Sequence, residues 1–165
     1  MAVFNKNSLA QVSGFSNSII AGELVYNQKT YWNLTLTSAD GNGVQQPVDL
    51  DGVTIDAKII RRTVTNLIDT RNGLVFDIGD FDPTPDAISL TVSNVVNTAG
   101  SFTVTIDDSA WSLLASDVEL AIAATDPACF SGRIKISFPE NLPTPAEDNI
   151  IFMLFLVRSD GVIKV

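Results

Sequence analysis

A chain of 165 residues and 17.7 kDa makes one domain of ordinary size, able to bury roughly 70% of the surface its unfolded form exposes. With 16 Val, 15 Ile and 14 Thr against 4 Glu and 5 Lys, β-branched residues dominate, and helical bundles and coiled coils are excluded. A formal net charge of −9 without a single His and with one Cys opposes binding to nucleic-acid phosphates or an anionic membrane, and it removes Ser-His-Asp triads, Cys-His dyads, His-ligated zinc and CxxC redox pairs.

Residues 1–18 are polar, rich in Asn, Ser and Gly and without sustained periodicity, the composition of an arm that orders only against another surface. Phe4 and Phe15 are its candidate contact residues. The first residues lack a basic region followed by an apolar stretch, so no signal peptide is read and the protein is expected to be used without export. Regular structure is expected from residue 19 to residue 165, beginning with a strand over Ile19 to Val25.

Tyr31 to Thr37 places Trp32, Leu34 and Leu36 on one side and Asn33, Thr35 and Thr37 on the other, which predicts a strand with one wet face. Asp40-Gly41-Asn42-Gly43 marks an exposed turn. Val53, Ile55, Ala57 and Ile59 alternate with more polar neighbours up to Arg61-Arg62, a second clear strand. Beyond Asn72-Gly73 the positions Leu74, Phe76 and Ile78 alternate again. Asp80 to Asp86, with prolines at 83 and 85, is expected to be a loop.

Ile88 to Val92 and Ser101 to Ile106 read as hairpin neighbours joined through Asn97-Thr98-Ala99-Gly100. Asp107-Asp108-Ser109 offers a cap for one short helix near Ala110 to Ala115, with Trp111 and Leu114 on one face. Further strands are expected at Leu120 to Ala124, Gly132 to Phe138 and Ile150 to Arg158, the last two separated by a loop from Pro139 to Asp148. Ser159-Asp160-Gly161 turns into a final Val162 to Val165. Eight to ten short strands between turn signals form the pattern of two packed antiparallel sheets. The longest apolar run, Ile150 to Val157, is eight residues, the length of a buried strand rather than of a membrane span.

Asp77, Asp80, Asp82 and Asp86 gather oxygen ligands that Ca²⁺ would accept, but there is no turn glycine or closing Glu at EF-hand spacing, and a solvated acidic loop is the simpler reading. Carboxylates for glycoside hydrolysis are plentiful but unspecific, because Asp in turns is the default. Arg61, Arg62, Arg133 and Lys135 offer a modest basic strip on one sheet face. Trp32, Phe76, Phe102, Phe138 and Phe152 occupy positions where alternation predicts core, which leaves Tyr26 and Tyr31 as the exposed aromatic contacts. Cys129, between Ala128 and Phe130, reads as a buried, inert thiol. No cofactor or metal is expected.

The stretch Gly43 to Arg61, containing Pro47-Val48-Asp49-Leu50-Asp51-Gly52 and the strand that ends Ile59-Ile60-Arg61, resembles the baseplate upper-protein N-terminal domain family of tailed phages. Asp51 stands where that module usually has Thr, and Gly22-Glu23-Leu24 replaces a longer entry. The downstream order of strands, Asp108-Ser109-Ala110-Trp111-Ser112-Leu113-Leu114 and the closing Arg158 to Val165 resembles short virion proteins of cyanobacterial phages. The resemblance implies an all-β, immunoglobulin-like antiparallel β-sandwich that acts as a non-enzymatic structural protein of the virion, made in the host cytoplasm and attached to the tail or baseplate. Its expected partners are other virion proteins, in several symmetric copies, with neither nucleic acid nor membrane. Candidate interaction residues are Phe4, Phe15, Tyr26, Tyr31, Asp80 and Asp82. The alternatives are a capsid decoration protein, or a carbohydrate-binding module reading host polysaccharide through Tyr26, Tyr31 or the acidic loop.

Overall fold

In the computed structural model, residues 10–11, 18–70, 73–81, 87–114, 128–141 and 143–158 are described. In chain order their elements are β1 (Ala10–Gln11), β2 (Ser18–Val25), β3 (Thr30–Thr35), β4 (Thr37–Ala39), β5 (Gln45–Pro47), β6 (Thr54–Thr70), β7 (Gly73–Phe81), β8 (Ile88–Ser89), β9 (Thr91–Val96), β10 (Ser101–Ile106), α1 (Asp108–Ser112), β11 (Ala128–Phe138) and β12 (Glu147–Arg158). A seven-stranded sheet runs β1-β2-β12-β11-β6-β7, with β8 also on β6, and a three-stranded sheet runs β3-β10-β9. The pairings are antiparallel except that of β2 with β12, which is parallel.

This is the immunoglobulin-like connectivity. The order β3-β10-β9 corresponds to strands B, E and D of one sheet, and β12-β11-β6-β7 to G, F, C and C′ of the other. Antibody domains tie strands B and F by a disulfide across the sandwich. Here the crossing between sheets is aromatic: Trp32 on β3 stacks on Phe155 of β12, with ring centroids 5.0 Å apart and planes 16° from parallel. The fold is thus the expected all-β sandwich.

Period-two alternation decides what each sheet buries. On β3, Thr30, Trp32 and Leu34 are buried while Tyr31, Asn33 and Thr35 are exposed, and Phe102, Val104 and Ile106 of β10 pair with those buried positions. Facing them, β11 supplies Phe130, Ile134 and Ile136, and β12 supplies Ile151, Met153 and Phe155, all 5% exposed or less. Burying each such side chain contributes about 1.5–3 kcal/mol. Of the caps offered by Asp107-Asp108-Ser109, the helix uses Asp107, whose carboxylate accepts from the backbone N–H groups of Ser109 and Ala110. Helix α1 therefore begins at Asp108, two residues before the expected start. Trp111 anchors it by donating its indole N–H to the Gln28 carbonyl at 3.0 Å.

The family-like segment at Pro47 folds as a turn that feeds β6. Asp49 accepts from the Asp51 N–H at 3.0 Å, Val53 N–H reaches the Leu50 carbonyl at 3.1 Å, and Gly52 takes the positive φ of 72° that the turn requires. Leu50 itself is buried. At the turn between β9 and β10, Gly100 also has positive φ, and a Cβ there would stand 2.7 Å from both the Leu36 and Val48 carbonyls.

Four expectations change. Strand β6 does not stop at Arg62 but runs 17 residues, roughly 55 Å, and only Thr54 to Arg62 pair with β11. The segment expected as one strand, Ile88 to Val92, is divided: Ile88 and Ser89 pair with β6, Leu90 N–H bonds the Ala57 carbonyl, and Thr91 begins the pairing with β10, so the chain changes sheets at Leu90. Asp80 lies in β7, which continues to Phe81, because the prolines that break extended pairing come only at 83 and 85. Ala10 and Gln11, in the stretch expected to order only against another surface, pair with Ile19 and Ser18 of the chain itself. The strand expected at Leu120 to Ala124, the loop from Asp82 to Asp86 and the closing Val162 to Val165 lie outside the described residues, as do Phe4, Phe15 and Asp82.

Candidate docking surface

The register of the large sheet assigns its outward face. Phe152 lies opposite Ile19 on one side and Arg133 on the other, and Arg133 lies opposite Lys58. One pair further along, Leu154 stands between Ala21 and Ser131, and Ser131 stands opposite Ile60. The intervening positions, such as Met153 and Ile59, are buried against the other sheet. Phe152 therefore points outward and is 42% exposed, which corrects its expected place in the core. The eight-residue apolar run gives alternation nothing to read, and packing of Ile151, Met153, Phe155 and Val157 inward turns Phe152 to solvent.

These outward residues form an apolar groove of about 500 Å³. Ile19, Ile60, Phe152 and Leu154 are among its lining residues, together with Gly132, Met153 and Ile59. Gly132 is required by the closeness of the strands: a Cβ at this position would come within 2.2 Å of the Lys58 carbonyl and 2.8 Å of the Ile59 side chain. Two cations, Lys58 and Arg133, share the lining.

The charges around the groove are partly matched. Lys58 is 3.6 Å from Asp56 and Lys135 is 2.9 Å from Asp148. Hydrogen bonding from Ser137, and then from Lys135, holds the Asp148 carboxyl below its ordinary value. Arg133 is exposed and its charge also helps to lower the Asp148 carboxyl. At the far end of the same face Arg158 bonds Glu23. Of the basic strip read from sequence, Arg133 and Lys135 thus share this outward face, while Arg61 packs over the Phe130 ring at 5.6 Å.

The candidate contact residues separate. Tyr31 is 55% exposed on the outer face of the three-stranded sheet, opposite Thr105. Beside it the buried Thr103 donates to the exposed Asn33 at 2.8 Å and the exposed Asn94 reaches Thr103 at 3.4 Å, so amides rather than hydroxyls meet solvent next to the ring. Tyr26 is only 2% exposed, which corrects its reading as an exposed contact. It meets Trp111 edge to face at 5.6 Å, because the turn after β2 folds its ring under α1. Cys129 is buried. Asp80 is placed by its backbone in β7, on the hairpin rather than in a loop.

Sequence reasoning missed Ile19, Ile60, Phe152 and Leu154 as a surface. The available signal was the strict alternation of β11, where Arg133 and Lys135 oppose Ile134 and Ile136: any partner opposite Arg133 had to share its outward face. Among the described residues no group of three or more His, Cys, Asp and Glu side chains is placed to hold a metal ion, and no helix is long and apolar enough to cross a membrane. Chemically, the surface offers an apolar trough edged by the Lys58 and Arg133 cations, suited to an apolar segment that carries a carboxylate. Compared with models of known protein families and with curated proteins, the chain matches none.

Proposed function

We propose that this chain is a non-enzymatic structural protein of a tailed-phage virion, associated with the tail or baseplate, which works by fitting its surfaces to neighbouring proteins. The observation that carries the reading is the β6–β7 hairpin. Past Arg62, β6 leaves β11 and pairs with β7 as far as Thr70 and Gly73. A ribbon that is two-stranded among the described residues for roughly 25 Å past the last β6–β11 pair has the form of a reaching element, and such ribbons are stable when something packs on them. The likeness of Gly43 to Arg61 to the baseplate family supports the same reading. So does the mean hydropathy of +0.24 with 18% charged residues, a high apolar load for a chain that meets only water.

Antibody labelling of intact particles tests the location. The reading expects label at the tail or baseplate; label over the capsid surface would favour a decoration protein, and particles without label would contradict both. A second reading draws on Tyr31, an exposed ring beside solvent-facing amides, where a sugar could stack and hydrogen-bond. Glycan-array binding that disappears in Tyr31→Ala would favour it; the structural reading expects no glycan signal from either protein.

A further inference from the structure

We infer that the open edge running along β3 and β4 pairs with the same edge of a second copy of this chain about a two-fold axis. The inference rests on the assembly role proposed above and names a partner for it. Leu36 links the two strands, donating to the Gly100 carbonyl at 2.8 Å and accepting from the Val48 N–H at 3.0 Å. Further on, Asp40 donates to the Val44 carbonyl at 2.9 Å, and Thr37 lies opposite Pro47, which has no N–H to give. Even-numbered positions therefore hold the neighbours β10 and β5. Antiparallel ladders alternate, so Tyr31, Asn33, Thr35, Thr37 and Ala39 turn their N–H and C=O groups the other way. Among the described residues no strand pairs on that side, and these five residues are exposed.

Unpaired edges are usually blunted by charge, proline or a bulge. The opposite edge of the three-stranded sheet has such a device: the register of β9 on β10 shifts between Ser101 and Thr103, and Asn94 takes a positive φ of 52°. From Thr30 to Ala39 there is no charged residue and no proline. The charges stand at the two ends instead, Lys29 before β3 and Asp40 after β4, both exposed. Antiparallel pairing centred on Thr35 sets Tyr31 opposite Ala39, Asn33 opposite Thr37 and Thr35 opposite its twin, and it brings Lys29 of each copy beside Asp40 of the other. Parallel pairing in register would oppose like charges. Because even positions then oppose even ones, the buried face carrying Trp32 and Leu34 continues from one copy into the next. The edge is thus its own complement in charge and in backbone groups, with about ten hydrogen bonds available across the seam.

Sedimentation of the purified full-length chain, with Thr35→Pro and Lys29→Glu, tests this. The wild type should enter a monomer–dimer equilibrium as concentration rises, since an isologous contact closes at two copies. Thr35→Pro should stay monomeric while melting close to the wild type, because the N–H it removes serves only the edge. Lys29→Glu, exposed and outside the strand, should dimerise about tenfold more weakly, and it carries the test if Thr35→Pro melts early. Oxidation reads the register. Thr35→Cys should form a disulfide with its twin, since the Cα atoms of such a pair lie about 5.5 Å apart, whereas Asn33→Cys faces position 37 and should not. A monomeric wild type, association unchanged in either variant, or equal cross-linking at positions 33 and 35 overturns the inference. A monomeric chain that is nevertheless a component of purified particles overturns it and leaves the proposed function standing; a dimeric chain absent from particles does the reverse.

Discussion

Trp32 is among the largest fully buried side chains of the described residues and stacks on Phe155, yet its indole N–H is buried without a hydrogen-bond partner among the described residues. A buried donor left unsatisfied costs free energy that an apolar ring of similar shape does not. Trp32→Phe should therefore cost less than about 1.5 kcal/mol of unfolding free energy, whereas Trp32→Ala should cost about 3–5 kcal/mol. Denaturant titration of both variants distinguishes this from a Trp whose N–H is needed, for which the two losses would be similar. Asp107 is the opposite case, a polar group used fully. Its carboxylate accepts from Ser109 and Thr91 side chains and from two backbone N–H groups, and these bonds, the Ser109 hydroxyl first, hold its pKa below 3.8. A lowered folded-state pKa means that the contribution is present above the ordinary carboxylate value and is lost as pH falls through the lowered one. Asp107→Ala should cost about 0.5–2 kcal/mol at neutral pH, and Asp107→Asn should keep most of the cap while flattening the acid limb of the stability curve; an unchanged acid limb in Asp107→Asn would contradict the assignment.

At the scale of elements, legibility follows how strictly polarity alternates. Strand β3 is readable because Trp32 and Leu34 alternate with Asn33 and Thr35, and the first half of β6 because Ile55, Ala57 and Ile59 do the same. The second half of β6, Thr63 to Thr70, mixes Thr, Val, Asn, Leu, Ile and Asp in no regular order, so its length was not readable. The division at Leu90 was hidden for another reason: Ile88, Leu90 and Val92 keep one alternating pattern while the backbone exchanges partners between sheets. The groove was illegible because both parities of β12 are apolar and only the packing of Met153 and Phe155 against the other sheet chooses between them. If the hairpin is a reaching element rather than part of the core, replacing residues 66–77 by a two-residue turn should leave a cooperative thermal transition while abolishing association with neighbours. Loss of that transition would make the hairpin part of the folding unit.

For the whole molecule, composition indicated an all-β sandwich before any contact was known, since β-branched residues and turn-forming Asp left little else to build. The connectivity was not so readable: the parallel pairing of β2 with β12 joins residues far apart in sequence, and no local pattern encodes it. The described surface carries an apolar groove on the large sheet and an exposed Tyr31 on the small one, which the proposed function uses as contact surfaces. The central proposal is that the chain is a stoichiometric part of a virion. If, as proposed, a tailed phage encodes the chain, quantitative mass spectrometry of that phage's purified, gradient-banded particles tests this most directly: the account expects the chain in a fixed multiple copy number relative to the tail proteins, and its absence from those particles would contradict the account.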